Sequence, residues 1–358
     1  MTGLYIHIPF CRKKCPYCDF YSVGFSPERN PDFSNDLAER YADAVIRNIR
    51  YYNEVYDTVY FGGGTPILLA RQIPKILAEV RRAESTEITV ECNPLDMDEK
   101  TLKILYDCGV NRLSVGVQAV SGRDLRFLGR THTFEQAKQA ILTANKVGFC
   151  DISADLMLGL PGQDHVSTVH TIKQLKELPI THISAYMLKV EPNTVFGKRP
   201  PELPDDDSTA ERYLQLVSML GNIGFEQYEI SNFAKGGMRS LHNLKYWKRE
   251  EYIGIGAAAH SFYGGKRFEV ARNLKEFIAS EHQIELITDD DPNETEEKIM
   301  LGLRLTEGIS EELYSRVSDA LPLIPREYYK LENGRLSLTP RGFLVSNEII
   351  ATLIEYLK

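Results

Sequence analysis

"YIHIPFCRKKCPYCDF", residues 5–20, runs an alternating apolar stretch straight into a short loop holding three cysteines, Cys11, Cys15 and Cys18. The stretch reads as a β-strand whose end delivers reactive side chains. What repeats after it decides the fold. Further β-type runs occur at 58–64 "TVYFGGG", 87–93 "EITVECN", 112–118 "RLSVGVQ", 152–162 "ISADLMLGLPG" and 182–188 "HISAYML". Amphipathic helical segments such as "LAERYADAVIRNIRYY", "DEKTLKILYDCG" and "TFEQAKQAILTANKVG" separate them. Strand followed by helix, repeated at roughly thirty-residue spacing, predicts a parallel sheet of βα units. Six units are too few to close, so the expected α/β fold is an open, partial (β/α)6 TIM-like barrel. Tyr60, Glu91, Gln118 and Asp155 fall at or near predicted strand ends, the rim where such barrels do chemistry.

Beyond residue 190 the pattern changes. "EPNTVFGKRPPELPDDDS" is Pro-rich and acidic, a helix is expected over 208–223, and "FEQYEISNFA" reads as one further strand. "ITDDDPNETEEK" resembles a linker into a final α+β module of helix, helix, Asn-Gly hairpin and helix, the order of a winged helix. The expected division is a partial barrel over 1–190, an extension over 191–289 that completes the core and carries "HNLKYW", and the winged-helix-like module over 290–358. The hairpin has few basic residues, so docking on the barrel or on a protein suits the module better than DNA does.

A formal net charge of −8 argues against a broad nucleic-acid surface, and no apolar run is long enough for a membrane span. "MTGLYIHIPF" has neither a basic start nor a long apolar core, so no secretory signal is read and a cytoplasmic location is expected. In that reducing setting three cysteines within eight positions suggest a metal site, while Cys92, Cys108 and Cys150 read as packing residues. C-x3-C-x2-C suits a [4Fe-4S] cluster with one iron left open. A structural zinc site and redox thiols are the alternatives, although the zinc site would want a fourth ligand nearby. Glycine-rich "GGGTP" at 62–66 lets backbone groups approach a ligand closely, and Glu91, Gln118, Arg130 and Asp155 supply a carboxylate, an amide, a cation and a second carboxylate toward the same mouth. His132 and His260 are weaker candidates.

The cysteine spacing, with aromatic Tyr17 before the last Cys, resembles the radical S-adenosylmethionine (SAM) superfamily. That resemblance covers nearly the whole chain and implies that SAM chelates the open iron. "FGGGTP", "ECNP", "SVGVQ", "LGRTHT" and "DLMLGLPGQ" are similar to the oxygen-independent coproporphyrinogen III oxidase group. By that resemblance Tyr5, Tyr17, Gly63, Gly64, Thr65, Glu91, Gln118, Arg130 and Asp155 contact SAM, some of them a second SAM in the dehydrogenase. Three departures point to the HemW-type heme chaperones instead. Phe20 stands where the dehydrogenase has a further Cys, Tyr5 lies almost at the start, and "HNLKYW" at 242–247 matches the H-N-x-x-Y-W motif of that type.

The resemblance implies heme bound through His242, Tyr246 and Trp247. An imidazole can ligate iron and the aromatic rings offer flat faces, although an aromatic pair at a helix end also packs into cores. On a helix His242 and Tyr246 share a face. The implied partners are heme and a heme-recipient protein such as a respiratory membrane protein, reached by transient membrane association, with a homodimer left open. The alternatives are oxidative decarboxylation of coproporphyrinogen III and radical opening of heme.

Overall fold

The computed structural model describes residues 1–24 and 35–358. Six parallel strands stand where the alternation places them: β1 (Thr2–Ile8), β2 (Tyr56–Gly63), β3 (Arg82–Cys92), β4 (Arg112–Gln118), β5 (Asp151–Leu158) and β6 (His182–Met187). Strands β1, β2, β4 and β5 are buried along almost their whole length, as strands covered on both faces must be. The intervening helices are α1 (Asn35–Tyr52), α2 (Ile73–Ala78), α3 (Glu99–Asp107), α4 (Phe134–Val147) and α5 (His165–Lys176). Local chemistry sets their ends. Thr133 and Gln136 form a reciprocal capping box at the start of α4, and Gly148, at φ 127°, ends it in a conformation that side chains resist.

The sheet extends past the six expected strands on both sides. Helix α6 (Asp206–Asn222) returns the chain to β7 (Glu226–Gln227) and β8 (Asn232–Ala234), with β8 antiparallel to β6. The single strand expected over "FEQYEISNFA" is thus broken, because Glu229 leaves the ladder to bridge Leu305. On the other side, after α7 (Leu241–Trp247), β9 (Tyr252–Ile255) lies parallel to β1, so the curved parallel portion has seven strands rather than six. Gly254 obscures β9 in the sequence. A Cβ there would lie 2.2 Å from the His260 carbonyl oxygen, so the close approach of β10 excludes a larger residue. β10 (His260–Tyr263), β11 (Lys266–Val270) and β12 (Glu285–Asp289) follow as an antiparallel meander. The spatial order is β12-β11-β10-β9-β1-β2-β3-β4-β5-β6-β8-β7, an open sheet with free edges at β12 and β7. The linker expected from Ile287 begins inside β12.

The C-terminal segment contains α8 (Glu294–Gly302), β13 (Ile309–Ser310), α9 (Glu311–Ser315), β14 (Tyr329–Glu332), β15 (Arg335–Leu338), α10 (Pro340–Leu344) and α11 (Ser346–Glu355). Asn333 and Gly334 both take positive φ, the turn that an Asn-Gly hairpin requires, and β13 adds a third strand beside β15. Glu297 of α8 accepts from Arg249 at 2.7 Å and also from Arg267 of β11, tying this segment to the large sheet. The main hydrophobic core draws on residues from Leu4 to Leu353, and a smaller cluster gathers Leu128, Met157 and Leu160.

Candidate functional site

Strand alternation sorts the side chains. In β1, Leu4, Ile6 and Ile8 join the core, while Tyr5 and His7 turn to the concave face. In β4, Arg112, Ser114, Gly116 and Gln118 all turn inward by the same period of two. Together with the loop after β1 they line a cavity of about 960 Å³ at the mouth of the partial barrel. Every residue expected to bind the cluster or SAM, namely Cys11, Cys15, Cys18, Tyr5, Tyr17, Gly63, Gly64, Thr65, Glu91, Gln118, Arg130 and Asp155, lies on this wall.

All three loop thiols are free and partly exposed. Phe10–Cys11 pairs in parallel with Val23–Gly24, which anchors the loop at both ends. The Cys11 sulfur lies 3.6 Å from Thr65 Oγ1, and the Arg130 guanidinium reaches to 3.7 Å from the Cys15 sulfur. Burial pushes the Cys18 thiol up to about 11, so a metal that took these sulfurs would have to displace their protons. Among the described residues no three His, Cys, Asp or Glu side chains converge as ligands of a single metal ion. A four-iron cube takes one thiolate per corner, so the chemistry of this donor set suits a cluster better than one zinc ion.

The opposite wall is built from backbone and carboxylates. Gly64 donates its N–H to the Ile8 carbonyl at 2.8 Å, and a Cβ on it would lie 2.6 Å from the Phe10 carbonyl oxygen. Glu91 accepts the Gly63 N–H on one oxygen and the Tyr60 hydroxyl on the other, both at 3.0 Å. Burial, and next the like charge of Asp155, push Glu91 up to about 7. Asp155 is likewise pushed up by burial, against the bonds that Ser114 and Ser153 donate to it. Arg112 partly offsets the charge of Asp155, and the acceptor oxygens of the two buried carboxylates suit a ligand that brings an ammonium group and hydroxyl donors, as SAM does. Gln118 has φ 66° where the β4–β5 register slips, a strained strand end that aims its amide at the cavity. Arg130 is fixed by donating to the Gly116 carbonyl at 3.1 Å.

Sequence reasoning did not single out Arg112, Ser114 or Tyr186 among the lining residues. The first two were accessible by counting back in twos from Gln118. Tyr186 was accessible the same way from the inward Ser184.

The residues that the resemblance assigns to heme lie on helix α7, and His242 and Tyr246 share a face there as the spacing predicts. Helix α7 closes the base of the barrel interior, where Gly3 would press a Cβ onto Lys245 and His242. Leu241 and His242 donate their backbone N–H groups to buried Glu87 at 2.9 and 3.0 Å. The His242 ring is fully buried, with Nδ1 on Thr58 Oγ1 and Nε2 on the Tyr246 hydroxyl, both at 2.8 Å. Burial holds it down to about 3. As placed, His242 has no ring nitrogen free for an iron, and only Tyr246 of the three reaches the cavity wall. Trp247 instead faces the Arg304 guanidinium, 5.9 Å from its ring. His132 is buried, its Nε2 on the Val117 carbonyl at 3.1 Å. His260 does reach the cavity wall.

Among the described residues no helix is long and apolar enough to cross a membrane. The model of the radical SAM superfamily matches residues 5–175. The chain is 36% identical over 385 residues to the heme chaperone HemW of Bacillus subtilis (strain 168), covering 99% of each protein. It is 41% identical over 268 residues to the heme chaperone HemW of Escherichia coli (strain K12), covering 72% of this chain and 69% of that one. The solved coproporphyrinogen III oxidase HemN from Escherichia coli superposes with a TM-score of 0.80 over 99% of this chain and 90% of its own, at 20% identity, and so shares the fold. The cysteine loop, the glycine-rich strand end and these near-full-length matches make the chain a member of the HemW family within the radical SAM superfamily.

Proposed function

We propose that this chain is a heme chaperone: it holds a [4Fe-4S] cluster on Cys11, Cys15 and Cys18, binds SAM against the facing wall, takes up heme, and passes it to a heme-requiring protein. The carrying observation is that three free thiols, the Gly63–Gly64–Thr65 backbone and the Glu91–Asp155 carboxylate pair line one cavity. Superfamily membership implies the cluster and SAM, and a bound cluster would supply the open iron and the electron. The residues supply the rest. Gly63, Gly64 and Thr65 admit the ligand's amino and carboxylate end, Glu91 and Asp155 accept hydrogen bonds from its donors, and Gln118 and Arg130 fix its orientation. Tyr5 and Tyr17 cover it from water. The name borne by the relatives supports heme as cargo, and a cytoplasmic chaperone serving a respiratory membrane protein is the setting that fits it. In this reading residues 1–190 hold cluster and SAM, while 191–289 and 290–358 handle heme and recipient.

The test is anaerobic incubation of reconstituted protein with SAM, reductant and either heme or coproporphyrinogen III. A stable heme band that moves to an apo-recipient, with no porphyrinogen turnover, is expected. Protoporphyrinogen formation would make it an oxidase, and loss of the heme chromophore with SAM consumption a heme-opening enzyme. Cys11→Ala should abolish cluster loading, and unchanged iron and sulfide would refute the ligand assignment.

A further inference from the structure

Eight histidines occur in the chain, and two of them line the large cavity, His7 and His260. His7 is buried and fully engaged, with Nδ1 on the Tyr5 hydroxyl at 3.1 Å and Nε2 on the Tyr21 carbonyl at 2.8 Å. His260 differs on each count. It opens β10 at the cavity mouth, and its side chain is 57% exposed. Glu269 lies 3.5 Å from its Nε2, and among the described residues nothing hydrogen-bonds Nδ1. Resting on the heme-chaperone reading above, we propose that His260, not His242, ligates the iron of heme seated in the outer part of this cavity, with Arg272 and Lys13 pairing its propionates and Phe20 covering its ring.

Space supports the assignment first. The cavity of about 960 Å³ reaches from the Glu91 and Asp155 wall to His260 and Arg272 on its other side. SAM against Glu91 and Asp155 occupies the inner wall and leaves the mouth for a second, flat ligand. The mouth has the chemistry of an iron dicarboxylate macrocycle. Phe20 is 60% exposed on the cavity wall, an apolar face that the cluster loop presents to no packing partner in the core. Arg272 is over half exposed and, among the described residues, paired only with Glu269 at 3.9 Å, and Lys13 is exposed on the cysteine loop. Burial chiefly, and after it the charges of His260 and Arg272, lower the proton affinity of His7, and all three residues line the same cavity. Neutral imidazole is the form an iron takes, and a carboxylate beside it raises ligand basicity, a role open to Glu269. His242 offers none of this. Both its nitrogens are bonded, and freeing it would break the contacts that dock α7.

The test titrates heme into the full-length chain and reads the Soret band and the axial-ligand signature by resonance Raman or electron paramagnetic resonance. Parent protein, His260→Ala and His242→Gln are compared, with folding checked by circular dichroism and cluster loading by iron and sulfide content. Loss of outer-shell partners alone weakens metal sites roughly 10- to 100-fold, so His260→Ala should lose the histidine signature and at least about tenfold in affinity. Its folding and cluster content should match the parent, and His242→Gln, once folded, should keep the signature. A folded His260→Ala with parental spectrum and affinity would overturn the assignment while leaving the chaperone reading intact. A parent chain that binds no heme at all would sink the chaperone reading itself.

Discussion

Glu87 is the hinge of the structural reading of the "HNLKYW" segment. Its carboxylate accepts the backbone N–H groups of Leu241 and His242 at the start of α7, and with Asp151 it faces the fully buried Arg112. Glu87→Ala removes both acceptors, one of them from the amide of fully buried His242. A hydrogen bond to a charged group contributes about 1.5–3 kcal/mol, so two contribute about 3–6 kcal/mol. Relief of a carboxylate that burial already penalises offsets part of this. The expected net loss is about 3 kcal/mol, on the order of a hundredfold in the folding equilibrium. Glu87→Gln should lose about half as much, because its amide oxygen still accepts one N–H. The chain's single Trp, Trp247, ends α7 and reports its docking directly. Urea unfolding followed by Trp247 fluorescence and by far-ultraviolet circular dichroism should show the fluorescence transition moving to lower urea, ahead of the helical signal. A loss below about 0.5 kcal/mol with coincident transitions would refute the claim that Glu87 docks this helix.

Glu91 carries a pH signature. Its folded-state value of about 7 stands above the ordinary 4.5, so the folded state holds the proton more tightly. Its contribution is therefore complete at acid pH and is lost as pH rises from about 4.5 to about 7, worth up to about 3 kcal/mol. Glu91→Gln should flatten that limb in urea unfolding at stepped pH, and a variant that tracks the parent through the window would count against the buried-carboxylate reading. Gly64→Ala places a Cβ 2.6 Å from the Phe10 carbonyl oxygen and 2.9 Å from that of Ile8, main-chain atoms with no rotamer to yield. It should cost about 1–3 kcal/mol and lower cluster loading through the adjacent Thr65–Cys11 contact. Gly24→Ala, which meets nothing within 4 Å among the described residues, should be neutral in the same assays, and equal behaviour of the two would defeat the steric argument.

The fold was legible wherever one physical signal acted alone. Six apolar strands, four of them buried along almost their whole length, and the intervening amphipathic helices could be read because a parallel sheet needs both faces covered. β9 escaped notice because its four residues contain Gly254, placed there by the close approach of β10, and no local propensity encodes that neighbour. The break between β7 and β8 has the same origin. Glu229 is drawn out of the ladder by Leu305, far along the chain, so nothing within "FEQYEISNFA" announces it.

The candidate site divides along the same line. Glu91, Gln118 and Asp155 were legible because strand alternation and position at the barrel mouth act together, and both are local. The surroundings of His242 were not, because helical spacing reports which residues share a face and never what that face meets. The i, i+4 relation of His242 and Tyr246 is present, but it joins the two side chains to each other at 2.8 Å instead of presenting them to a ligand. What turns the pair inward is Glu87 and Thr58, one strand apart in the sheet and well over a hundred residues earlier in the chain. A helix whose first amides are held by a buried carboxylate is fixed before any cargo arrives. The imidazole that stands exposed on the cavity wall lies instead at a strand end at the mouth, where β10 places His260.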